Sequence, residues 1–153
     1  MKRIISIAAV LAVQAISAWA AEPLIGVWKL DSQEINGNKS NVEPMTLKIS
    51  EASGAYTFAF SVPVNNVYFV SMTYTVKLDG SSGDVKNSNG EKVGAAQVTA
   101  VSPSHYKLVL KGPNRPDSSG KLTVSPDGKT LTSETDTMQG ARSIHSVQVF
   151  TRN

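Results

Sequence analysis

The chain has 153 residues, 41% of them hydrophobic, with seven prolines, eleven glycines and no cysteine. This length and composition suit one folded domain, and they exclude a disordered chain, a disulfide framework, a thiolate zinc site and a cysteine nucleophile. The formal net charge is +3 and the sequence pI is about 9.2, a balance that on its face would suit an anionic partner.

The first twenty residues have the order of a secretory signal peptide. Lys2 and Arg3 precede an apolar run, and the segment closes on small residues that end at Ala20. The run is too short to span a membrane, so we expect residues 1–20 to be cleaved and residues 21–153 to form the mature domain.

Cleavage of the signal peptide lowers the net charge of the chain. It removes Lys2 and Arg3, which leaves thirteen basic against twelve acidic residues, a net charge of +1. Nucleic-acid binding is therefore disfavoured. No cysteine follows the cleavage point to carry a lipid, so we expect a periplasmic or secreted protein with no transmembrane anchor.

Beyond the signal, hydrophobic residues recur mainly at every second position, which is typical of half-buried strands. Helix is scarce in this pattern. We predict about ten strands, which cover Leu24–Gln33, Met45–Ser50, Tyr56–Val62, Val67–Leu78, Gly83–Asn87, Ala95–Val101, His105–Lys111, Gly120–Ser125, Lys129–Thr137 and Ser143–Arg152.

The connections are mostly short. Pairs such as Asn36-Gly37 and Asp127-Gly128 supply the positive φ angles that hairpin turns require. We expect longer, mobile loops at residues 80–92 and 111–120, and an interruption at Pro63.

These features predict an all-β fold, a single up-and-down antiparallel β-barrel of about eight to ten strands. Closure removes the exposed strand edges that invite aggregation. A two-sheet β-sandwich is the alternative, because the same alternation of residues would serve it.

Alternation also assigns the inner faces. We expect one apolar row along the fourth predicted strand, from Tyr68 to Leu78, with Phe69 as the exposed exception on the other face. All four tyrosines fall on predicted inner faces. A polar row that contains Glu134 and Asp136 is expected outside and solvated. The side chains expected to line an interior ligand site are Tyr56, Phe58, Phe60, Tyr68, Met72, Tyr74, Tyr106 and Leu108.

Gly26-Val27-Trp28, which opens the first strand, resembles the Gly-x-Trp start of the lipocalins and the wider calycin superfamily. Together with Pro126-Asp127-Gly128 and the terminal Phe150-Thr151-Arg152, it is similar to small exported bacterial proteins described as lipocalin-like. The resemblance implies a barrel whose closed end is built by Gly26, Trp28 and Arg152, with the arginine across the tryptophan. Antiparallel pairing of the first and last strands would bring these two residues together, with a cation–π contact of about 0.5–2 kcal/mol.

The function that follows is an exported lipocalin-like protein that binds a small hydrophobic or aromatic molecule inside the barrel, without a cofactor or metal. One alternative is a structural or protein-interaction barrel with a filled core. Another is a haem-binding barrel that uses His145, since this residue shares a strand face with Val147 and Val149. Motifs for acyl transfer, zinc hydrolysis and nucleotide binding are missing, so we do not expect an enzyme.

Overall fold

The computed structural model describes residues 23–113 and 115–153, apart from the side chain of Arg115. The predicted signal peptide, residues 1–20, lies outside the described residues. Among the described residues, no helix is long and apolar enough to cross a membrane.

Eleven antiparallel strands make up one sheet. In chain order they are β1 Gly26–Ile35, β2 Asn38–Lys39, β3 Thr46–Ala52, β4 Ala55–Val64, β5 Val67–Val76, β6 Asp79–Asn87, β7 Lys92–Ser102, β8 His105–Gly112, β9 Arg115–Val124, β10 Thr130–Gln139 and β11 Arg142–Arg152. From β3 onward each strand pairs with the next, and β1 pairs with both β3 and β11. The sheet therefore closes into a ten-stranded barrel, with β2 as a short addition beside the end of β1. The predicted barrel is confirmed, and the sandwich is wrong.

Tight turns explain why the chain meanders. Asn36 and Ser53 have positive φ angles and are each followed by a glycine that also has one. Asn65 and Asn66 have φ angles of 51° and 64°, which defines a two-residue turn between β4 and β5. The expected interruption at Pro63 is therefore only this turn, and Pro63 stays within β4 opposite Tyr68.

The two predicted long loops are wrong, because most of their residues belong to strands. β6 is polar and contains glycines, yet Val85 on it is fully buried and pairs with Gly94 of β7. Pro116 lies in β9 beyond Ser118, where its missing N–H interrupts no recorded ladder pair. A single buried apolar residue such as Val85 is enough for a strand to form when strands on both sides are available to pair with it.

A β-bulge in β5 changes which residues face inward. Phe60 pairs with Met72 but Ser61 pairs with Val70, so Ser71 is an extra residue, and its hydroxyl donates to the Phe60 carbonyl at 3.2 Å. An extra residue reverses the alternation of every side chain beyond it.

The predicted inward row on β5 is therefore wrong from Val70 to Tyr68. Both side chains now lie on the outer face and are 45% and 50% exposed. Phe69 is 54% exposed, as expected, but it shares the inner face with its partner Val62 at the end of the barrel.

The core fills one half of the barrel, the half that contains Trp28. Every strand of the barrel contributes at least one apolar side chain to it. The largest fully buried ones are Trp28, Tyr106, Phe58, Phe150, Leu24, Ile49 and Leu131.

Candidate ligand-binding site

The end of the barrel at Trp28 is closed. Trp28 is fully buried, its indole N–H donates to the Leu24 carbonyl at 3.0 Å, and Leu24 is itself fully buried across this end. The Arg152 guanidinium carbon lies 4.1 Å from the centre of the Trp28 ring. The contact that the resemblance implied is thus confirmed.

Gly26 is required at the same place. A Cβ at this position would overlap the guanidinium of Arg152, and the φ angle of Gly26 is +155°. The tripeptide that opens β1 therefore combines an aromatic side chain that fills the closed end with a glycine that leaves room for the arginine above it.

The other half of the barrel encloses a cavity of about 310 Å³. Its depth is limited by Leu131 and Phe150, which pair across β10 and β11. Towards the far end, half-buried Met45, Thr137 and Ser146 line it, so the cavity opens away from Trp28. A volume near 300 Å³ is at the lower end of the range for small-molecule sites.

One side of the cavity is apolar. Phe58 and Tyr74 are cross-strand partners, and their rings stack with centroids 4.7 Å apart and planes inclined by 18°. Phe60 lies 6.0 Å from Tyr74, again between ring centroids. The apolar side consists of Met45, Leu47, Phe58, Phe60, Met72, Tyr74, Leu108, Leu110 and Leu122.

The other side is polar and is formed by β9, β10 and β11. We call it the polar wall. It comprises Ser118, Ser133, Thr135, Thr137, Ser146 and Gln148.

The polar wall was missed by sequence reasoning, although a signal for it existed. Glu134 and Asp136 were correctly placed outside, where Glu134 forms an ion pair with Lys121 at 3.1 Å. The residues between and beside them must then face inward. On β10 these residues carry hydroxyl groups, so no apolar pattern marks them as interior.

The predicted site residues divide into three groups. Those that line the cavity are Phe58, Phe60, Met72, Tyr74 and Leu108. Tyr56 and Tyr106 lie nearer the closed end and do not line it; the Tyr106 hydroxyl donates to the Pro103 carbonyl at 2.8 Å. Tyr68 lies outside the barrel, on a surface groove with Lys29, Lys48 and Ser61.

His145 does not face the interior. It lies opposite Asp136 on the outer face, with its Nδ1 2.9 Å from a carboxylate oxygen, and it is 46% exposed. The haem alternative requires His145 to face the interior, so it loses the only ligand proposed for it. No group of three or more residues with metal-binding side chains occurs in the part of the chain that the structure describes.

No protein-family model matches the chain, and no curated protein matches it either. Solved structures, in contrast, do match the chain. The zebrafish ileal bile acid-binding protein complexed with cholic acid has a TM-score of 0.59 and 16% identity, over 86% of this chain and 99% of that one. The structure of EF1p2_mFAP2b bound to DFHBI has a TM-score of 0.50 and 12% identity, over 88% and 97%. At these identities the likeness concerns the fold alone, a closed antiparallel β-barrel.

Proposed function

We propose that this protein binds a single small, mainly apolar molecule in the interior cavity, and that it acts as a binding protein and not as an enzyme. The observation that carries the proposal is the cavity itself. Side chains just fill a barrel of about eight strands, and the diameter grows with the number of strands. This ten-stranded barrel is wider, and about 310 Å³ of its interior stays open. The filled-core alternative does not account for that space.

The surroundings of the cavity support the same function. Stacked aromatic rings and leucines give a binding molecule an apolar surface, and a few polar groups give it orientation. Both similar structures hold small molecules, cholic acid and DFHBI. We further propose that the protein works outside the cytoplasm, as the signal-like residues 1–20 suggest.

The proposal is tested with Nile red, an uncharged dye whose fluorescence rises in apolar surroundings. We expect saturable, one-to-one binding by the purified protein. Thr135→Phe places a ring in the cavity and should abolish binding, because the ring occupies the space that the dye needs. Thr132→Phe is the matched control, since Thr132 lies on the same strand but on the outer face. Binding that both variants retain equally, or that never saturates, would contradict the proposed site.

A further inference from the structure

The polar wall consists of three cross-strand pairs stacked along the barrel axis. Ser133 pairs with Gln148, Thr135 with Ser146, and Thr137 with Ser118. Directly below them is the apolar pair Leu131 and Phe150. The polar wall therefore runs from just above Leu131 and Phe150 to the open end of the cavity.

Most side chains of the polar wall have no hydrogen-bond partner among the described residues. Ser118 and Thr137 share a hydrogen bond of 2.8 Å. By contrast, within residues 23–113 and 115–153, no hydrogen bond is recorded for the side chains of Ser133, Thr135, Ser146 and Gln148. Ser133 is only 9% exposed. A buried hydroxyl without a partner is costly, so its position on the cavity surface indicates a ligand atom that it would bind.

The described lining of the cavity has no charged side chain that could pair with a charged ligand. Among the described residues that line it, none carries an ionisable acid or base other than the phenol of Tyr74. A carboxylate placed here would lose its hydration without gaining a cation, which is strongly unfavourable. Hydroxyl and amide groups, in contrast, suit uncharged hydroxyl or carbonyl oxygens, for which they act as both donors and acceptors.

We propose that the ligand is an uncharged, mainly apolar molecule that bears several hydroxyl or carbonyl oxygens along its length. Its apolar surface lies on Phe58, Phe60 and Tyr74, and the oxygens bind the polar wall. This inference rests on the proposed function, because it specifies which molecule the same cavity takes.

Three steroids of one skeleton provide the test. Cortisol is uncharged and has hydroxyl groups that progesterone lacks, and cortienic acid keeps the ring hydroxyls but carries a carboxylate. We expect the protein to bind cortisol at least about tenfold more tightly than progesterone, and cortienic acid more weakly than cortisol. Affinities are measured by displacement of Nile red and by calorimetry.

Two variants link the preference to the polar wall. Thr135→Val keeps the shape of the side chain and removes its hydroxyl, and Ser133→Ala removes a hydroxyl that is only 9% exposed. Each should weaken cortisol binding about three- to tenfold, a larger factor than for progesterone or Nile red. Ser119→Ala, on the outer face of β9, is the control.

The outcomes separate the two claims. If Nile red binds in the cavity but cortisol has no advantage over progesterone, or if the acid binds most tightly, the inference about the ligand is overturned and the proposed function stands. If neither Nile red nor any steroid binds, the proposed function itself fails.

Discussion

The guanidinium group of Arg152 covers the buried indole of Trp28 with its carbon atom 4.1 Å from the ring centre. The same group donates to three backbone carbonyls, those of Gly128, Ile25 and Pro23. The last strand is thereby joined to the segment before β1 and to the turn before β10. The Arg152 side chain therefore connects three segments of the chain at the closed end, although it is exposed to solvent.

Replacement of Arg152 should therefore cost more than an exposed arginine usually does. We expect Arg152→Ala to lower the free energy of unfolding by about 2 kcal/mol, from lost charged hydrogen bonds and the lost cation–π contact. Urea unfolding measures this directly. Arg142→Ala, at the other end of β11, is the matched control and should change stability by less than about 0.5 kcal/mol. Equal effects of the two substitutions would contradict the role of Arg152.

Gly26 and Arg152 should be energetically coupled. Gly26→Ala places a methyl group against the guanidinium, and we expect it to cost about 1–3 kcal/mol of stability. In the Arg152→Ala background the overlap is gone, so the same change should cost clearly less, with only the backbone strain at Gly26 remaining. A double-mutant cycle in urea measures the difference. An identical loss of stability from Gly26→Ala in both backgrounds would show that the contact between Gly26 and Arg152 does not contribute to it.

Chemical modification of the tyrosines tests which of them are buried in the barrel interior. Tetranitromethane attacks the phenolate, so reactivity requires both access and ionisation. Tyr68 is 50% exposed, whereas Tyr74 and Tyr106 are 2% exposed. Burial, with a smaller contribution from Tyr56, raises the pKa of Tyr106 above its ordinary value, which protects it further. We expect Tyr68 to be nitrated first at about pH 8, as read by peptide mass spectrometry. Nitration of Tyr74 at the same rate as Tyr68 would contradict the burial of Tyr74 in the barrel.

The turn before β10 gives a pH-dependent contribution to stability. Asp127 accepts hydrogen bonds from the Ser125 hydroxyl and from the Lys129 backbone N–H, and these bonds, the Ser125 one foremost, lower the pKa of its carboxyl below the ordinary 3.8. A lowered pKa in the folded state means that the carboxylate stabilises the fold above the ordinary pKa. This contribution is lost as the pH falls through the folded-state pKa.

Asp127→Asn should therefore be less stable than the parent at about pH 7, and the difference in melting temperature should shrink as the pH falls from about 4 to about 2. Asp31→Asn is the control, since no hydrogen bond or ion pair is recorded for this exposed side chain in the described residues. A constant difference for Asp127→Asn across this range would exclude the carboxylate as its source.

The architecture follows from local features that a sequence shows directly. Pairs such as Asn36-Gly37 and Ser53-Gly54 each demand a hairpin, and a succession of hairpins leaves closure as the way to cover both outer strands. The closed end also follows from sequence, because the pairing that closes the barrel puts Trp28 opposite Arg152.

The site was harder to predict, because two of its determinants leave little trace in the sequence. Ser71 reverses the faces of Tyr68 and Val70, and nothing in an alternating run of apolar residues marks one serine as extra. On β11 the more apolar face, with Val147 and Val149, points outward, since pairing with Leu131 fixes Phe150 inside. The strand therefore turns Ser146 and Gln148 towards a cavity that only the closed barrel creates.

The central claim is that a small molecule binds inside the barrel, in the half away from Trp28. The most direct measurement is a titration of the isotopically labelled protein with Nile red, followed by amide and side-chain NMR shifts. We predict saturable shifts at Phe58, Thr135 and Gln148, with the Trp28 indole N–H unaffected. Shifts confined to the outer groove at Tyr68 and Lys48, or no saturable shift at all, would contradict the claim.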